Sequence, residues 1–269
     1  MSESDDKAGQ AYWDKNWTLI APELLDVGDR RLANEVNLRL HELLTRCVAE
    51  GARPATARLL EVGCARSVWL PYFAREHGLR VSGLDYSPEG CRQAEAVLAQ
   101  AGVPSDIHCA DMFDPPQSLC GTFDFVFTLG VVEHFTDTQR AIAALRRFLR
   151  PGGTLITVIP NMRGSTGALQ RLLDAEVYRT HVPLRPEDLG RAHASAGFEV
   201  HAASYFMATN FYVVNTVQRK GLLARPLARL IGGLAGRFSM ALWQWERWFG
   251  RLPAGRMLSP YIACVARLP

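Results

Sequence analysis

The chain has 269 residues, 48% of them hydrophobic and 21% charged, which is the composition of an ordinary globular protein. Its formal net charge of +3 is too small for a protein that holds nucleic acid by charge, so we predict no nucleic-acid partner. The 6 cysteines include no CxxC pair and the 7 histidines form no HExxH motif, so we predict no bound metal. Scattered cysteines and a polar, acidic N-terminus without an apolar stretch indicate a cytoplasmic protein with no signal peptide.

Short apolar runs alternate with helical patterns from residue 59 onward. We predict strands at 59–63, 81–85, 105–111, 123–130 and 153–160. Helices are predicted after the first, second and fourth of these strands, and Ser87 and Pro88 have the residue types favoured at a helix start. The apolar face of the helix after the fourth strand reaches Leu149, and Pro151-Gly152-Gly153 is predicted to stop that helix. This alternation predicts an α/β fold with a doubly wound, mostly parallel sheet and helices on both faces.

The end of the chain breaks the alternation. Residues 198–206 and 259–268 have strand patterns with no repeating helix between them, which predicts a closing hairpin interrupted by a long insertion. The insertion, 217–256, holds eight basic residues, three tryptophans and one acid, Glu246. One interpretation is a solvated helix pair that packs its aromatic residues on the domain or on a second subunit, as in a homodimer. The other is a surface for peripheral membrane contact, for an acidic partner or for covering a ligand pocket.

The strongest signal is the turn LLEVGCARS after the first strand. Ligands bind at the carboxyl ends of strands in parallel sheets, and a close approach of the backbone requires small residues such as Gly63 and Ala65. The acids Glu61, Asp85 and Asp111 lie at the ends of three successive strands. A carboxylate at the second of these positions can accept from both hydroxyls of a ribose, and one at the third can accept from an adenine amino group.

A dinucleotide is the competing ligand. The turn Gly63-Cys64-Ala65-Arg66-Ser67 does not match the GxGxxG pattern that a pyrophosphate requires. Glu61, beside the turn, would repel a pyrophosphate but attract a ligand that carries positive charge. We therefore favour a cationic nucleoside ligand, and a dinucleotide-dependent oxidoreductase is the alternative.

Five motifs occur in the order typical of one enzyme family: the E-x-G-x-small-x-small turn, LDYS, CADMFD, FDFVFTLGVVEHF and LRPGGTLITVIPN. Over about residues 57–206 and the final strand, the chain resembles the class I S-adenosylmethionine-dependent methyltransferases of the small-molecule type. The resemblance implies a seven-stranded, Rossmann-like sheet with an antiparallel last strand, and S-adenosylmethionine as cofactor. Cofactor contacts are expected from Glu61, Gly63, Cys64, Ala65, Asp85, Tyr86, Asp111, Met112, Leu129 and Gly130.

The turn departs from the family pattern at two positions. The family has glycines where this chain has Ala65 and Ser67. We expect the difference to be tolerated unless the backbone there needs a positive φ, which would cost about 1 kcal/mol.

We divide the chain into an N-terminal helical lid (1–50), the cofactor-binding core (51–206), a helical insertion (207–257) and the final core strand (258–269). Methyl transfer is an in-line displacement, so the protein mainly aligns the reactants and excludes water. A base is needed only for a protonated nucleophile, and His134 is the catalytic candidate; its alternative role is to cap the helix or to hydrogen-bond near the cofactor. Acceptor contacts are expected from Tyr12, Trp13, Trp17, Asn161, Arg163, Tyr178 and His181.

The acceptor is expected to be a small molecule of the specialised-metabolite type, because aromatic residues are abundant in the lid and the insertion. An arginine such as Arg163 would instead suit a carboxylate, which keeps S-methylation of a small amino acid such as methionine as an alternative. A further alternative is a catalytically silent scaffold that binds the cofactor and acts through 217–256. The acceptor atom, whether O, N, S or C, stays open at this point.

Overall fold

The computed structural model describes residues 5–16, 23–51, 56–215 and 224–269. A seven-stranded sheet in the order β3-β2-β1-β4-β5-β7-β6 lies at its centre. The strands are β1 Arg58–Val62, β2 Arg80–Asp85, β3 Ile107–Cys109, β4 Phe123–Leu129, β5 Leu149–Pro160, β6 Glu199–Phe206 and β7 Tyr261–Arg267. The helices in these ranges are α1 Gln10–Asn16, α2 Glu35–Glu50, α3 Trp69–His77, α4 Pro88–Ala101, α5 Thr138–Arg146, α6 Ser165–Leu173, α7 Ala175–Arg179, α8 Pro186–Ser195 and α9 Ala224–Phe249.

The sheet is parallel from β3 to β5, and β7 runs antiparallel to both of its neighbours, β5 and β6. The predicted α/β fold, its closing hairpin and its antiparallel last strand are therefore confirmed. Side chains on both faces of β1 and β4 are buried, which explains why these strands have continuous apolar sequences. The strand order reverses at β1, and the carboxyl ends of β1 and β4 meet there.

The helix after β2 begins as predicted. Pro88 is its first residue, and the Ser87 hydroxyl accepts a hydrogen bond from the Gly90 amide at 3.0 Å. This N-cap holds the first turn of α4 directly behind Asp85, at the end of β2.

The helix after β4 is shorter than predicted. It ends at Arg146, and the Phe148 carbonyl already accepts hydrogen bonds from two amides at the start of β4. Leu149, predicted to be helical, therefore begins β5. Pro151-Gly152-Gly153 lies inside β5, where the register with β4 shifts, so these residues accommodate an irregularity in the strand and do not stop the helix.

The insertion contains one long helix, α9, in the part that the structure describes, and the predicted helix pair is wrong for that part. The buried side of α9 includes Ala228, Ser239 and Trp243. Residues 217–223 of the insertion lie outside the described ranges. Among the described helices, none combines the length and the apolar character that crossing a membrane requires.

Candidate active site

A cavity of about 360 Å³ opens at the carboxyl ends of β1, β2 and β4. This is the position at which parallel α/β sheets bind their ligands. Nine of the ten predicted cofactor residues line it: Glu61, Gly63, Ala65, Asp85, Tyr86, Asp111, Met112, Leu129 and Gly130. The structure thus brings these predicted residues together around one space.

Cys64 is the predicted cofactor residue that the structure places elsewhere. Its side chain is fully buried in the core, and a Cβ added to Gly83 would approach its Sγ to 2.6 Å. Desolvation by burial raises the pKa of the Cys64 thiol well above its ordinary value, so the group stays uncharged. Cys64 supports the turn from behind by packing and does not line the cavity.

Gly63 makes the closest approach of the turn to its surroundings. Its φ is +78°, in the left-handed region that glycine adopts most readily. A Cβ at this position would lie only 2.4 Å from the Val131 Cγ2. Both the conformation and the space therefore require glycine at position 63.

The departures from the family pattern fall where the backbone does not need glycine. Neither Ala65 nor Ser67 has a positive φ, so the cost of about 1 kcal/mol that we considered does not arise there. The left-handed residue between them is Arg66, with a φ of +54°. Ala65 instead packs closely against Gly90 of α4, since a Cβ added to Gly90 would lie 2.6 Å from the Ala65 Cβ.

The carboxylates that end β2 and follow β3 are fixed by backbone amides. Asp85 accepts from the amides of Ala65 and Ser87, at 3.1 and 2.9 Å. Desolvation by burial raises the pKa of this carboxyl group above its usual range, in spite of these hydrogen bonds. Asp111 accepts from the Phe113 amide at 2.9 Å. Each carboxylate keeps further lone pairs for a ligand in the cavity that it lines.

Glu61 is the acid that decides which ligand charge the cavity favours. It is buried, and the Ser67 hydroxyl lies 2.6 and 2.7 Å from its two oxygens. Desolvation raises the pKa of the Glu61 carboxyl group to about 8. A cation bound beside it would favour the ionised form, whereas an anion would oppose it. The cavity therefore suits a nucleoside that carries positive charge, such as S-adenosylmethionine, better than a dinucleotide.

A second cavity, of about 260 Å³, adjoins the first. The two cavities share Trp13, Leu129, Gly130 and His134. Its remaining lining is mostly apolar or aromatic: Tyr12, Glu133, Val158, Ile159, Pro160, Met162, Thr166, Gln170, Val177, Thr180, His181, Val213, Asn215 and Tyr261. No arginine or lysine occurs among the described residues that line it.

His134 lies between the two cavities in one defined tautomer. Its Nδ1 is 2.7 Å from the Thr180 carbonyl oxygen, and because a carbonyl only accepts, Nδ1 carries the hydrogen and Nε2 the lone pair. Desolvation by burial lowers the pKa of His134 to about 4, so the imidazole is neutral at neutral pH. A neutral imidazole with a free lone pair can accept a proton.

Glu133 and His181 surround the same imidazole. The Glu133 side chain is 1% exposed, neither of its oxygens has a hydrogen-bond partner among the described residues, and desolvation raises its pKa to about 8. Its Oε1 is 3.9 Å from the His134 Nε2. The His181 Nδ1 donates to the Val177 carbonyl at 2.8 Å, and desolvation lowers the pKa of His181 to about 3. The nitrogen and oxygen atoms of Glu133, His134 and His181 that can bind a metal lie within 4.8 Å of one another, which is close enough for all three to bind one cation. The absence of a bound metal therefore stays a prediction.

The N-terminal segment covers this junction. Tyr12 and Trp13 of α1 line the second cavity, and the Trp13 ring makes an edge contact with His134 at a centroid distance of 5.1 Å. The Lys7 amide donates to the His134 carbonyl at 2.9 Å. Trp17, the third aromatic residue predicted for the lid, lies outside the described residues.

Three predicted acceptor residues line neither cavity. Asn161 is fully buried, and its amide donates to the carbonyls of Arg256 and Ser259 at 3.0 and 2.9 Å, which anchors the segment before β7. Arg163 extends along the surface to a backbone carbonyl, and Tyr178 is half-buried on α7. The location of a residue after a strand was therefore not enough to predict that its side chain lines either cavity.

Sequence reasoning also missed several lining residues. Asp6 lines the first cavity and accepts a hydrogen bond from the Tyr86 hydroxyl at 2.9 Å, although nothing in the acidic N-terminus distinguishes it. Tyr261 lines the second cavity because β7 pairs antiparallel with β5, which places it beside Pro160. The hairpin prediction contained that signal, since an antiparallel last strand must begin where β5 ends.

The fold, the glycine turn and the three carboxylates define a class I methyltransferase site. The methyltransferase-domain family matches residues 30–203, and the chain belongs to that family. It is an S-adenosylmethionine-dependent methyltransferase.

Relatives found by sequence agree with this assignment, and solved methyltransferase structures share the fold. The ubiquinone biosynthesis O-methyltransferase of Chromobacterium violaceum is 27% identical over 173 residues, 60% of this chain and 74% of the relative. The protein of the same name from Methylobacterium sp. is 31% identical over 151 residues, 53% of this chain and 59% of the relative. Among solved structures, a SAM-dependent methyltransferase from Archaeoglobus fulgidus has a TM-score of 0.55 at 17% identity, covering 87% of this chain and 93% of that chain. Geranyl diphosphate C-methyltransferase from Streptomyces coelicolor A3(2) has a TM-score of 0.56 at 17% identity, covering 97% and 96%.

Proposed function

We propose that the enzyme methylates a hydroxyl oxygen of a small, largely apolar aromatic acceptor, and that His134 accepts the hydroxyl proton. One observation carries this proposal: a neutral imidazole with its Nε2 lone pair unprotonated lies where the two cavities meet. The two ubiquinone biosynthesis O-methyltransferases to which this chain is similar support oxygen as the acceptor atom.

The cofactor side of the proposal follows from the carboxylates. Asp85 would accept from the ribose hydroxyls and Asp111 from the adenine amino group, while Glu61 would face the positive charge of the methionine part. When bound, S-adenosylmethionine supplies a methyl group that its positively charged sulfur has already activated. Gly63 contributes by letting the backbone approach without a side chain in the way.

The lining of the second cavity supports a neutral acceptor. A carboxylate or phosphate group would need a cation to replace its hydration, and the described lining contains no arginine or lysine. S-methylation of an amino acid therefore lacks the charged partner that Arg163 was expected to supply. An aromatic ring in this space would pack beside Trp13 and Tyr261.

The proton of the acceptor hydroxyl passes to the His134 Nε2 as the oxygen takes the methyl group. Thr180 holds the Nδ1 hydrogen and so fixes the tautomer and the ring orientation. Burial makes the resulting imidazolium costly, and the Glu133 carboxylate, 3.9 Å from Nε2, offsets this cost when it ionises. With a pKa of about 8, Glu133 must first give its own proton to solvent; its carboxylate and His134 would then share the proton taken from the acceptor.

Residues 5–16 act as the lid in this proposal. They contribute Tyr12 and Trp13 to the second cavity and bond through the backbone to His134. Aromatic side chains over the reaction centre exclude water, and exclusion of water protects the aligned reactants.

The experiment is a methyl-transfer assay on phenols, catechols, amines, thioethers and carbon acids with labelled cofactor. We expect turnover with phenols and catechols, and a fall in kcat of about 100-fold or more in His134→Gln with the binding of S-adenosylhomocysteine retained. His201→Gln is the matched control, because His201 is exposed on the outer strand β6. Methylation confined to nitrogen, sulfur or carbon would overturn the assignment to oxygen.

A second measurement separates a base from a merely structural histidine. A dinitro-substituted phenol is already ionised at neutral pH, so it needs no base. We expect His134→Gln to recover most of the wild-type rate with such an acceptor. If the rate stays equally low with ionised and un-ionised phenols, His134 positions the site and does not accept the proton.

A further inference from the structure

The outward side of α9 carries an unusual row of large apolar side chains. The six residues are all exposed, and we call them the outer stripe: Leu230, Leu234, Phe238, Trp245, Trp248 and Phe249. Neighbours in this set are mostly three, four or seven positions apart, so they share one helical face. With 26 residues, α9 is about 39 Å long, and the stripe runs over most of that length.

The fold prevents this face from turning inward. On the opposite side of α9, the Trp243 Nε1 donates to the Thr209 carbonyl at 2.8 Å, and the Ser239 hydroxyl accepts from the Phe211 amide at 2.9 Å. The helix is thus attached along its buried side to the segment after β6. The outer stripe is consequently a fixed feature of the folded chain. It is a contiguous apolar patch, unlike the single exposed leucines elsewhere on the surface.

The charges beside the outer stripe are all of one sign in the described part of α9. Arg237 is exposed next to it, and Arg229 is exposed about 100° round the helix axis from Leu230. The single acid of the helix, Glu246, is buried and accepts from the Arg39 guanidinium at 3.0 Å and from the Leu252 amide at 2.9 Å. The outward face therefore offers apolar groups and cations with no anion among them.

We propose that the outer stripe docks the enzyme on the surface of an anionic lipid bilayer. A helix with an apolar face and flanking arginines lies in the plane of such a surface, with its apolar side chains among the acyl chains and its cations at the headgroups. Trp245 and Trp248 occupy one end of the stripe, and the indole ring, apolar with one N–H donor, suits the boundary between headgroup and acyl chain. This contact is peripheral and does not require the helix to span the bilayer.

A second copy of the chain fits the stripe less well. Arg237 lies near the middle of the outer stripe, so an antiparallel pairing of two copies through the whole stripe would bring the two Arg237 residues to about 8 Å of one another along the helix axis. No acid on the outward face of the described helix would offset their repulsion. An anionic lipid surface instead supplies the opposite charge at every position.

The docked face is connected to the rim of the second cavity. Residues 207–215 contact α9 through Thr209 and Phe211, and the same segment lines the second cavity with Val213 and Asn215. Docking would place that rim close to the lipid surface. The docking itself does not depend on which acceptor the enzyme methylates.

The test is flotation of the full chain with vesicles of phosphatidylcholine, with and without phosphatidylglycerol. We expect binding to the anionic vesicles, weaker binding at high salt, and little binding to phosphatidylcholine alone. In Trp248→Ser/Phe249→Ser, whose side chains are 70% and 68% exposed, the partition coefficient should fall by about tenfold or more. Met257→Ser is the matched control, since Met257 is 67% exposed and lies outside α9.

Two results would overturn the proposal. The first is equal partition of wild type and the double variant, with circular dichroism showing both folded. The second is a wild-type dimer in light scattering that the double variant abolishes, together with no binding to either vesicle, because the stripe would then serve a second copy. Arg237→Gln adds a charge readout, with an expected loss of preference for the anionic vesicles and retention of residual apolar binding.

Discussion

The buried carboxyl group of Glu61 makes cofactor binding depend on pH. In the ligand-free enzyme the pKa of Glu61 is about 8, so the group is mostly protonated at neutral pH. A cationic ligand beside it favours the carboxylate and lowers this pKa toward its ordinary value of 4.5. Binding therefore releases a proton below pH 8, and the affinity rises as the pH rises toward 8.

The size of the effect follows from the ionised fraction of Glu61. With a pKa of about 8, that fraction rises from about 3% at pH 6.5 to about 76% at pH 8.5, an increase in affinity of about 25-fold. The same shift affects stability with the opposite sign. Because the pKa of Glu61 is higher in the folded than in the unfolded chain, this group stabilises the ligand-free fold below pH 4.5, and that stability is lost as the pH rises through 8. The ligand should therefore stabilise the folded protein more at pH 8.5 than at pH 6.5.

Calorimetry with S-adenosylhomocysteine measures this linkage against Glu61→Gln. The amino group of the ligand also titrates, but it does so in both proteins, so the ratio of affinities at the two pH values should differ by about 25-fold between wild type and variant. Titrations in buffers of different ionisation enthalpy should show about one proton released by the wild type at pH 6.5. Equal pH dependence in the two proteins would refute the assignment of the cation to Glu61.

Three further outcomes are expected. Gly63→Ala should lower the free energy of unfolding by about 1–2 kcal/mol because of the positive φ at this position. The further loss caused by the contact with the Val131 methyl should disappear in the Val131→Ala background; equal losses in both backgrounds, measured by thermal unfolding, would contradict the contact. Asn161→Ala and the similarly sized Asn161→Asp should each lose about 2 kcal/mol in urea unfolding, because both remove the donor to two carbonyls; an aspartate variant as stable as the wild type would contradict that role. A chelator should leave turnover unchanged, since a base needs no ion, and a loss that Mn²⁺ or Zn²⁺ reverses would show that Glu133, His134 and His181 hold a metal.

The sequence predicts the cofactor half of the site well because strand topology places it. Glu61, Asp85 and Asp111 belong to or follow successive strands, and parallel pairing brings the carboxyl ends of those strands to one edge. Cys64 is the exception, since its neighbours in sequence face the cavity while its own side chain packs toward Gly83. Alternation of side chains around a tight turn cannot be inferred from spacing alone, because the turn has no fixed period.

The other wrong predictions concern residues whose surroundings are determined by contacts with distant parts of the chain. Leu149 fits the apolar face of a helix, but pairing with Phe123 of β4 directs it into a strand. The tryptophans of the insertion suggested packing, yet the structure buries Trp243 and exposes Trp248 on the same helix. Only the fixed rotation of α9 about its axis, set by the segment after β6, decides which of them meets solvent.

The acceptor half depends on contacts that no local pattern specifies. His134 becomes a candidate base because the Thr180 carbonyl, 46 residues away, fixes its tautomer, and because the Trp13 ring packs against it. Asn161 also follows a strand, but both hydrogens of its side-chain amide are donated to backbone carbonyls of the segment before β7. A polar side chain at a strand end is thus free for an acceptor only when the rest of the fold leaves its hydrogen-bonding groups unused. In the described chain that condition is met most clearly at Glu133 and His134, which is why the chemistry of the acceptor is expected to follow those two residues.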